Sequence, residues 1–269
     1  MIYFKIVIPN YNNGEWIEKC LNSVLNQTFT DYHIVVVDDM STDDSNQKIE
    51  ALGSDKITLI KPGKKLWNGG TRNVGIDYPL ESIYTLFLDS DDWLYDKNTL
   101  ELLHNFIEDN QRPDCITLSY NCIVGNAVHY QELVRDTIKD LVGSVYVACW
   151  TKCIKSELIV KFPENTLMED VVQHIAQADK INTLVSYRTP VVCWNRNNLN
   201  SCSRVENQDC QQGKWKSSMY RYAADLMDLQ LENKDCKEHR NWRLEIVQNN
   251  IKDGKYIQWY MEMYYTLII

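Results

Sequence analysis

His33-Ile34-Val35-Val36-Val37-Asp38-Asp39 is a histidine and four β-branched residues without polar alternation, closed by two carboxylates. A strand buried on both faces reads this way, because helices cover both sides of a parallel sheet and no position looks into water. Upstream, Phe4-Lys5-Ile6-Val7-Ile8 is a second short run that stops at Pro9 and the turn Asn10-Tyr11-Asn12-Asn13-Gly14. Between the two, Trp16, Ile17, Cys20, Leu21, Val24 and Leu25 recur at helical spacing, with Asn12 and Glu15 placed to cap the first turn. Downstream the alternation continues with a helix over 43–52, a strand over 57–60, a loop over 61–70 and a helix carrying Arg72 and Asn73. The next strand, Tyr84-Thr85-Leu86-Phe87-Leu88, again ends in acid, Asp89-Ser90-Asp91-Asp92. Strands alternating with helices predict an α/β fold with a doubly wound, mostly parallel sheet, whose ligand crevice lies at the carboxyl ends of the strands. Both acidic clusters fall there.

Beyond Asp92 the pattern predicts a helix over 98–109, strands over 115–119, 144–148 and 191–193, and a helix over 171–179. After Arg204 the chain turns polar and then helical, with Trp215, Tyr220, Tyr222, Leu226, Leu229, Trp242, Ile246 and Ile251 on the apolar faces. This reads as a helical appendage rather than an independent domain.

The chain has 269 residues, 44% hydrophobic and 24% charged, long enough to bury a core without a disulfide framework or a structural metal. It carries 28 basic and 37 acidic side chains, a net charge of −9, with no clustered cations. That argues against binding to a nucleic acid, which depends on such clusters. Residues 1–10 lack a basic flank and a small-residue cleavage site, so no signal peptide is expected. No stretch approaches the roughly 20 apolar residues of a membrane helix, although 259–269 is aromatic and apolar enough for an acceptor groove, an oligomer interface or a membrane surface. The 9 cysteines are scattered without a CxxC pair or zinc spacing, as expected of reduced thiols in a cytoplasmic protein.

Asp89 and Asp91 stand two residues apart, so an extended backbone would turn both carboxylates to one side, with Asp92 a third. Like charges this close need a cation or hydrogen-bond donors, and hard oxygen ligands suit Mg²⁺ or Mn²⁺ with positions left for phosphate oxygens. An acidic helix cap and turn would use the same residues. Asp38-Asp39 allows the same two readings, since Ser41 to Asp43 can simply start a helix. Carboxylates accept from a nucleobase N–H or a ribose hydroxyl, and no phosphate-cradling glycine loop is present. Trp67, before the Gly69-Gly70 turn, is expected to close the core. His104, His129 and His174 fall on apolar or helical segments and suggest no ligand role.

Four motifs in order, Val7-Ile8-Pro9-Asn10-Tyr11-Asn12, Val35 to Asp43, Gly69-Gly70-Thr71-Arg72-Asn73-Val74-Gly75-Ile76 and Phe87 to Asp92, resemble those of family-two glycosyltransferases, inverting enzymes with the GT-A fold. The resemblance covers residues 1–110 closely, and Leu167-Met168-Glu169-Asp170-Val171 is similar to the family's Glu-Asp motif. It implies a GT-A domain over 1–204, with a nucleotide-binding half at 1–110 and an acceptor half at 111–204, and a helical extension over 205–269. It further implies that Pro9, Tyr11 and Asp39 hold the nucleoside, Arg72 reaches the nucleotide, Asp89 meets ribose or diphosphate, Asp91 ligates the metal and Asp92 frames donor or metal. Asp170 would be the catalytic base. Glu169, Arg196, Ser201, Ser203 and Arg204 would contact donor or diphosphate. Glu169-Asp170 can equally be an acidic first helical turn. The Gln-x-x-Arg-Trp motif of processive synthases is absent, which favours transfer of a single sugar.

The leading expectation is therefore an inverting glycosyltransferase dependent on Mn²⁺ or Mg²⁺. It would move one sugar from a nucleotide donor, a UDP-sugar first among them, to a hydroxyl of a glycan, a lipid-linked oligosaccharide or another acceptor. It would work in the cytoplasm or at the inner face of the membrane, with the C-terminal region available for membrane contact or a homo-oligomer. A catalytically inactive nucleotide-sugar binding or assembly subunit is the alternative. A nucleotidyltransferase should carry a basic glycine-rich loop after the first strand, and Pro9 to Asn13 is not one.

Overall fold

The structure is a computed structural model that describes residues 1–143, 148–164, 168–201 and 212–253. Its first half is a run of strands and helices: β1 (Ile2–Asn10), α1 (Ile17–Leu25), β2 (Tyr32–Asp38), α2 (Ser45–Ala51), β3 (Ile57–Ile60), α3 (Trp67–Asp77), β4 (Ser82–Phe87), β5 (Trp93–Leu94) and α4 (Thr99–Asp109). The second half has β6 (Cys115–Val124), β7 (Ala127–Gln131), α5 (Ile138–Val142), β8 (Lys152–Lys155), α6 (Glu169–Ala178), β9 (Leu184–Asn195), α7 (Gln212–Asp228) and α8 (Lys234–Asp253). One sheet runs β3-β2-β1-β4-β8-β6-β9-β5, with β7 paired to the outer part of β6. The β1–β2, β2–β3, β1–β4 and β6–β9 pairs are parallel, and β5, β7 and β8 run against the rest. This is the expected α/β sheet. The strand expected at 144–148 falls almost wholly outside the described residues.

The continuous apolar runs form central strands because both their faces are covered: Phe4, Ile6, Val7, Ile8 and Ile34 to Val37 are all buried. Helix α1 covers the sheet with Ile17, Cys20, Leu21 and Val24, one stripe at helical spacing. Its expected cap does not form. Asn12 turns its side-chain carbonyl to the Thr42 N–H at 2.7 Å, and the Asn13 backbone carbonyl accepts from Trp16 and Ile17 instead. Helix α3 lies close on β1 because Gly75 has no Cβ, which would sit 2.3 Å from a Val7 methyl. Helices α5 to α8 share a second apolar core built on Leu141, Val171, Val172, Ile175, Tyr222, Leu226 and Val247. Tyr220 and Trp242, expected on apolar faces, are exposed. The Trp215 side chain lies outside what is described. No described helix is long and apolar enough to cross a membrane.

Candidate active site

Three parallel strands, β2, β1 and β4, end side by side, and their carboxyl ends gather the acidic clusters. Asp38 braces two of those ends: it accepts from the Asn10 side chain at 2.9 Å and from the Ser41 N–H at 3.0 Å. Burial works to raise its pKa, but hydrogen bonds from Ser41, Asn46 and Asn10 outweigh it and hold the carboxyl below the usual range.

Asp39 accepts from the Leu66 N–H at 2.6 Å and the Trp67 N–H at 2.9 Å, so it caps the start of α3 from a distant part of the chain. Lys65 pairs with it at 2.9 Å and sets its ammonium 3.0 Å from the centre of the Tyr11 ring. Tyr11 is 50% exposed, an open aromatic face beside the buried acid, and Pro9 is half-buried behind it. Trp67 does not close the core as expected. It is 43% exposed, and its backbone is left-handed, φ 59°, where Asp39 holds the entry to α3. Left-handed backbone on a bulky residue is uncommon and is maintained only where surrounding contacts impose it.

The Asp89 to Asp92 segment is a turn and not an extended strand end; the Asp92 N–H donates to the Asp89 carbonyl at 3.0 Å. Asp89 and Asp91 take different hydrogen-bond partners within it. Asp89 reaches Arg72 at 2.9 Å, whereas Asp91 accepts from the Asn198 amide at 2.7 Å. Burial and then the neighbouring Asp89 push the Asp91 carboxyl up to about 6. Asp92 accepts from the Asn195 N–H at 2.7 Å, while its second oxygen is buried without a hydrogen-bond partner. Burial and then the Asp91 charge hold its pKa well above the usual carboxylate range.

A cation of the Mg²⁺ or Mn²⁺ kind takes one or two carboxylates and completes its shell with phosphate oxygens and water. Asp91, beside the unpartnered Asp92 oxygen, offers such a donor set. Among the described residues no group of three or more His, Cys, Asp or Glu side chains is placed to hold a metal ion.

Arg72 joins this turn to the second half of the chain. It is buried at 3% exposure on α3, and its guanidinium meets Asp89 at 2.9 Å, Glu169 at 3.1 Å and Asp170 at 3.5 Å. Glu169 and Asp170 form the first turn of α6, which comes close to α3 because Gly69 leaves room: a Cβ there would lie 2.3 Å from the Pro163 carbonyl oxygen. Burial and then Asp170 raise the Glu169 carboxyl to about 7, against the pull of Arg72. Asp170 is also raised by burial, with Arg72 and Lys152 opposing and Asp89 adding to the shift. Asp170 is the more exposed of the two and is a carboxylate of heightened basicity.

After β9, Arg196 lies across the Trp194 ring at 4.6 Å, and the Ser201 N–H donates to the Asn198 carbonyl at 3.5 Å. Ser203 and Arg204 lie outside the described residues. The structure thus brings Arg72, Asp89, Glu169 and Asp170 into direct contact and sets Asp91 and Asp92 on the same turn. Tyr11 and Asp39 form a separate cluster around Lys65. Sequence reasoning passed over Lys65, Asn195, Asn198 and Lys152. The Asn195-Arg196-Asn197-Asn198 run could have pointed to the two asparagines, as uncharged donors a few residues beyond a strand end.

A parallel sheet with acidic strand ends and a helix-borne Glu-Asp pair across the crevice defines a GT-A type nucleotide-sugar fold. Residues 5–157 match the model of Glycosyl transferase family 2, and the chain belongs to that family. It is 32% identical over 177 residues to the poly(ribitol-phosphate) beta-N-acetylglucosaminyltransferase TarS of Staphylococcus aureus, covering 61% of this chain and 30% of that one. It is 36% identical over 112 residues to TarP of S. aureus, described by the same activity, covering 39% of this chain and 33% of that one. The chain thus spans about a third of the length of these curated relatives. The crystal structure of S. aureus TarS in complex with UDP-GlcNAc matches with a TM-score of 0.69 at 23% identity, over 92% of this chain and 72% of that one. A mannosyltransferase from Pyrobaculum calidifontis in complex with GDP-Man and Mn²⁺ matches at 0.62 and 13% identity, over 95% and 76%. At these identities the likeness to solved structures is one of fold.

Proposed function

We propose that the chain is an inverting glycosyltransferase that moves one N-acetylglucosamine from UDP-GlcNAc to a hydroxyl of a polyol-phosphate or related glycan polymer. The observation that carries this reading is Arg72, one buried guanidinium tying the acidic turn after β4 to the Glu-Asp pair of α6. Donor-side and acceptor-side carboxylates are thereby held in one frame. TarS and TarP support the choice of donor sugar and acceptor class, and the TarS complex supports the uridine nucleotide.

In this reading Tyr11 offers an aromatic face to the base, Pro9 and Asp39 border it, and Lys65 gives way or turns to the phosphates. Asp89 stays with Arg72 and orients the ribose or diphosphate. Asp91, with Asp92 behind it, would hold Mn²⁺ or Mg²⁺, which supplies charge neutralisation for the departing diphosphate. Arg196 and Ser201 approach the same phosphates from the loop after β9, and Glu169 lines the donor side; Ser203 and Arg204, expected at the diphosphate as well, lie outside the described residues. Asp170 takes the proton of the acceptor hydroxyl as that oxygen attacks the anomeric carbon from the face opposite the nucleotide. One carboxylate base suffices for inversion, and no covalent sugar–enzyme bond forms.

The catalytic unit is residues 1–204, with 205–269 an extension whose described helices α7 and α8 pack on α5 and α6. A cytoplasmic setting follows from the nucleotide donor. The test is release of UDP from UDP-GlcNAc with poly(ribitol phosphate), with and without Mn²⁺. Transfer that requires the polymer supports the reading, and no transfer to it removes this acceptor.

A further inference from the structure

The first turn of α6 is held from behind by a buried cation that the reaction described above does not use. Lys152, at the start of β8, is 1% exposed, and its ammonium donates to the Ala148 carbonyl at 3.1 Å and meets His174 Nδ1 at 3.1 Å. His174 Nε2 lies 2.8 Å from the Leu141 carbonyl of α5. A carbonyl only accepts and an ammonium only donates, so this imidazole carries its proton on Nε2 and receives the lysine on Nδ1. Burial, then the Lys152 charge, keep it neutral by lowering its pKa well below the ordinary value. Burial also lowers the Lys152 pKa.

His174 and Asp170 are four residues apart on α6 and therefore share a helix face. A strut running from β8 through His174 to α5 fixes that face one turn beyond the carboxylate. Charged and titratable groups act on Asp170 from each neighbouring element: Arg72 of α3, Asp89 of the turn after β4, Cys149 before β8, Lys152 of β8 and Glu169 beside it. Arg243 and His239 of α8 act on His174 from the other side. Only Arg72 and Lys152 in the Asp170 group favour its ionised form, and Arg72 is shared with two further carboxylates.

We propose that Lys152 is a positioning residue for transfer: through His174 it fixes the first turn of α6, and it supplies Asp170 with a buried positive charge that Asp89 and Glu169 do not share by contact. This rests on the reading of Asp170 as the base.

The experiment measures the pH dependence of kcat/KM for transfer from UDP-GlcNAc to poly(ribitol phosphate) in wild type, Lys152→Met, His174→Gln and Asp170→Asn, with UDP affinity alongside. Removing a cation raises the pKa of a carboxylate, so in Lys152→Met the acidic limb moves up by about one pH unit, roughly a tenfold loss on that limb, while UDP affinity holds. A folded Lys152→Met with an unmoved limb overturns the proposal. His174→Gln keeps an acceptor for Lys152 and a donor for Leu141 with a different reach, and decides the matter if Lys152→Met does not fold. A kcat about tenfold lower with unchanged donor KM and an unmoved limb supports the strut, and wild-type kcat overturns it. Turnover retained in Asp170→Asn would instead remove the base reading and this inference with it. Loss there with an unmoved limb in Lys152→Met overturns this inference alone.

Discussion

Asp89 and Glu169 share one guanidinium: Arg72 places Nη2 2.9 Å from Asp89 Oδ1 and Nη1 3.1 Å from Glu169 Oε1. The first residue follows β4 and the second opens α6, so the pair of contacts ties the turn after β4 to the first turn of α6 through one buried charge. Removing that charge leaves three carboxylates facing one another. Arg72→Met should lower stability by about 3–5 kcal/mol, the cost of an uncompensated buried charge, and abolish transfer. Urea unfolding measures it; a loss under about 1 kcal/mol would show that water screens the cluster.

Burial and the neighbouring Asp170 push the Glu169 carboxyl up to about 7 from its ordinary 4.5. A raised carboxyl pKa means that the folded state binds more protons in this window. Its contribution to stability is complete below about pH 4.5 and is lost as pH rises through 7. Glu169→Gln should remove this downward slope between pH 4.5 and 7. Parallel stability curves for the two proteins would contradict the assignment.

Gly75 sits where a Cβ would meet a Val7 methyl at 2.3 Å. Gly75→Ala should therefore destabilise by about 1–3 kcal/mol, although alanine is the better helix former. Gly53, where nothing lies within 4 Å of a Cβ, provides the contrast. There the cost comes from the backbone, φ +57°, and the packing of α3 on β1 is untouched. Thermal unfolding of both variants, with α3–β1 amide protection followed by hydrogen exchange, separates the two causes.

Asp91 accepts from Asn198 on the turn that also carries Asp89 and Asp92. Asp91→Asn should weaken the Mn²⁺-dependent part of UDP binding by about tenfold or more and leave metal-free binding unchanged. EDTA should bring the wild type down to the level of the variant. Calorimetric titration with UDP, with and without Mn²⁺, checks both. Identical isotherms for the two proteins would remove Asp91 from the metal site.

The first half of the fold is legible in the sequence because β1, β2 and β4 are central strands whose buried runs are almost wholly apolar, with Lys5 and Thr85 as the buried polar exceptions. The acids at their ends stand out for the same reason. β8 is not legible. Lys152-Cys153-Ile154-Lys155 has lysine at both ends, and its buried lysine is held by His174 and the Ala148 carbonyl. β7 escapes notice as an exposed edge strand in which Val128 and Tyr130 face water. Asp39 reads as a ligand group, yet it accepts from the amides of residues 66 and 67 and pairs with Lys65, contacts that sequence distance hides. Trp67 reads as core because large aromatics usually are, and the left-handed entry to α3 turns it outward. The gathering of Arg72 with Asp89, Glu169 and Asp170 required the motif order, since no local pattern links α3 to α6.

The most direct test compares wild type with Asp170→Asn in UDP release from UDP-GlcNAc and in UDP binding, both with Mn²⁺ and poly(ribitol phosphate) present. A positioned base contributes about 10²- to 10⁴-fold. The predicted result is a loss of that size in turnover with UDP affinity unchanged. Wild-type turnover in the variant would contradict the central claim that Asp170 deprotonates the acceptor.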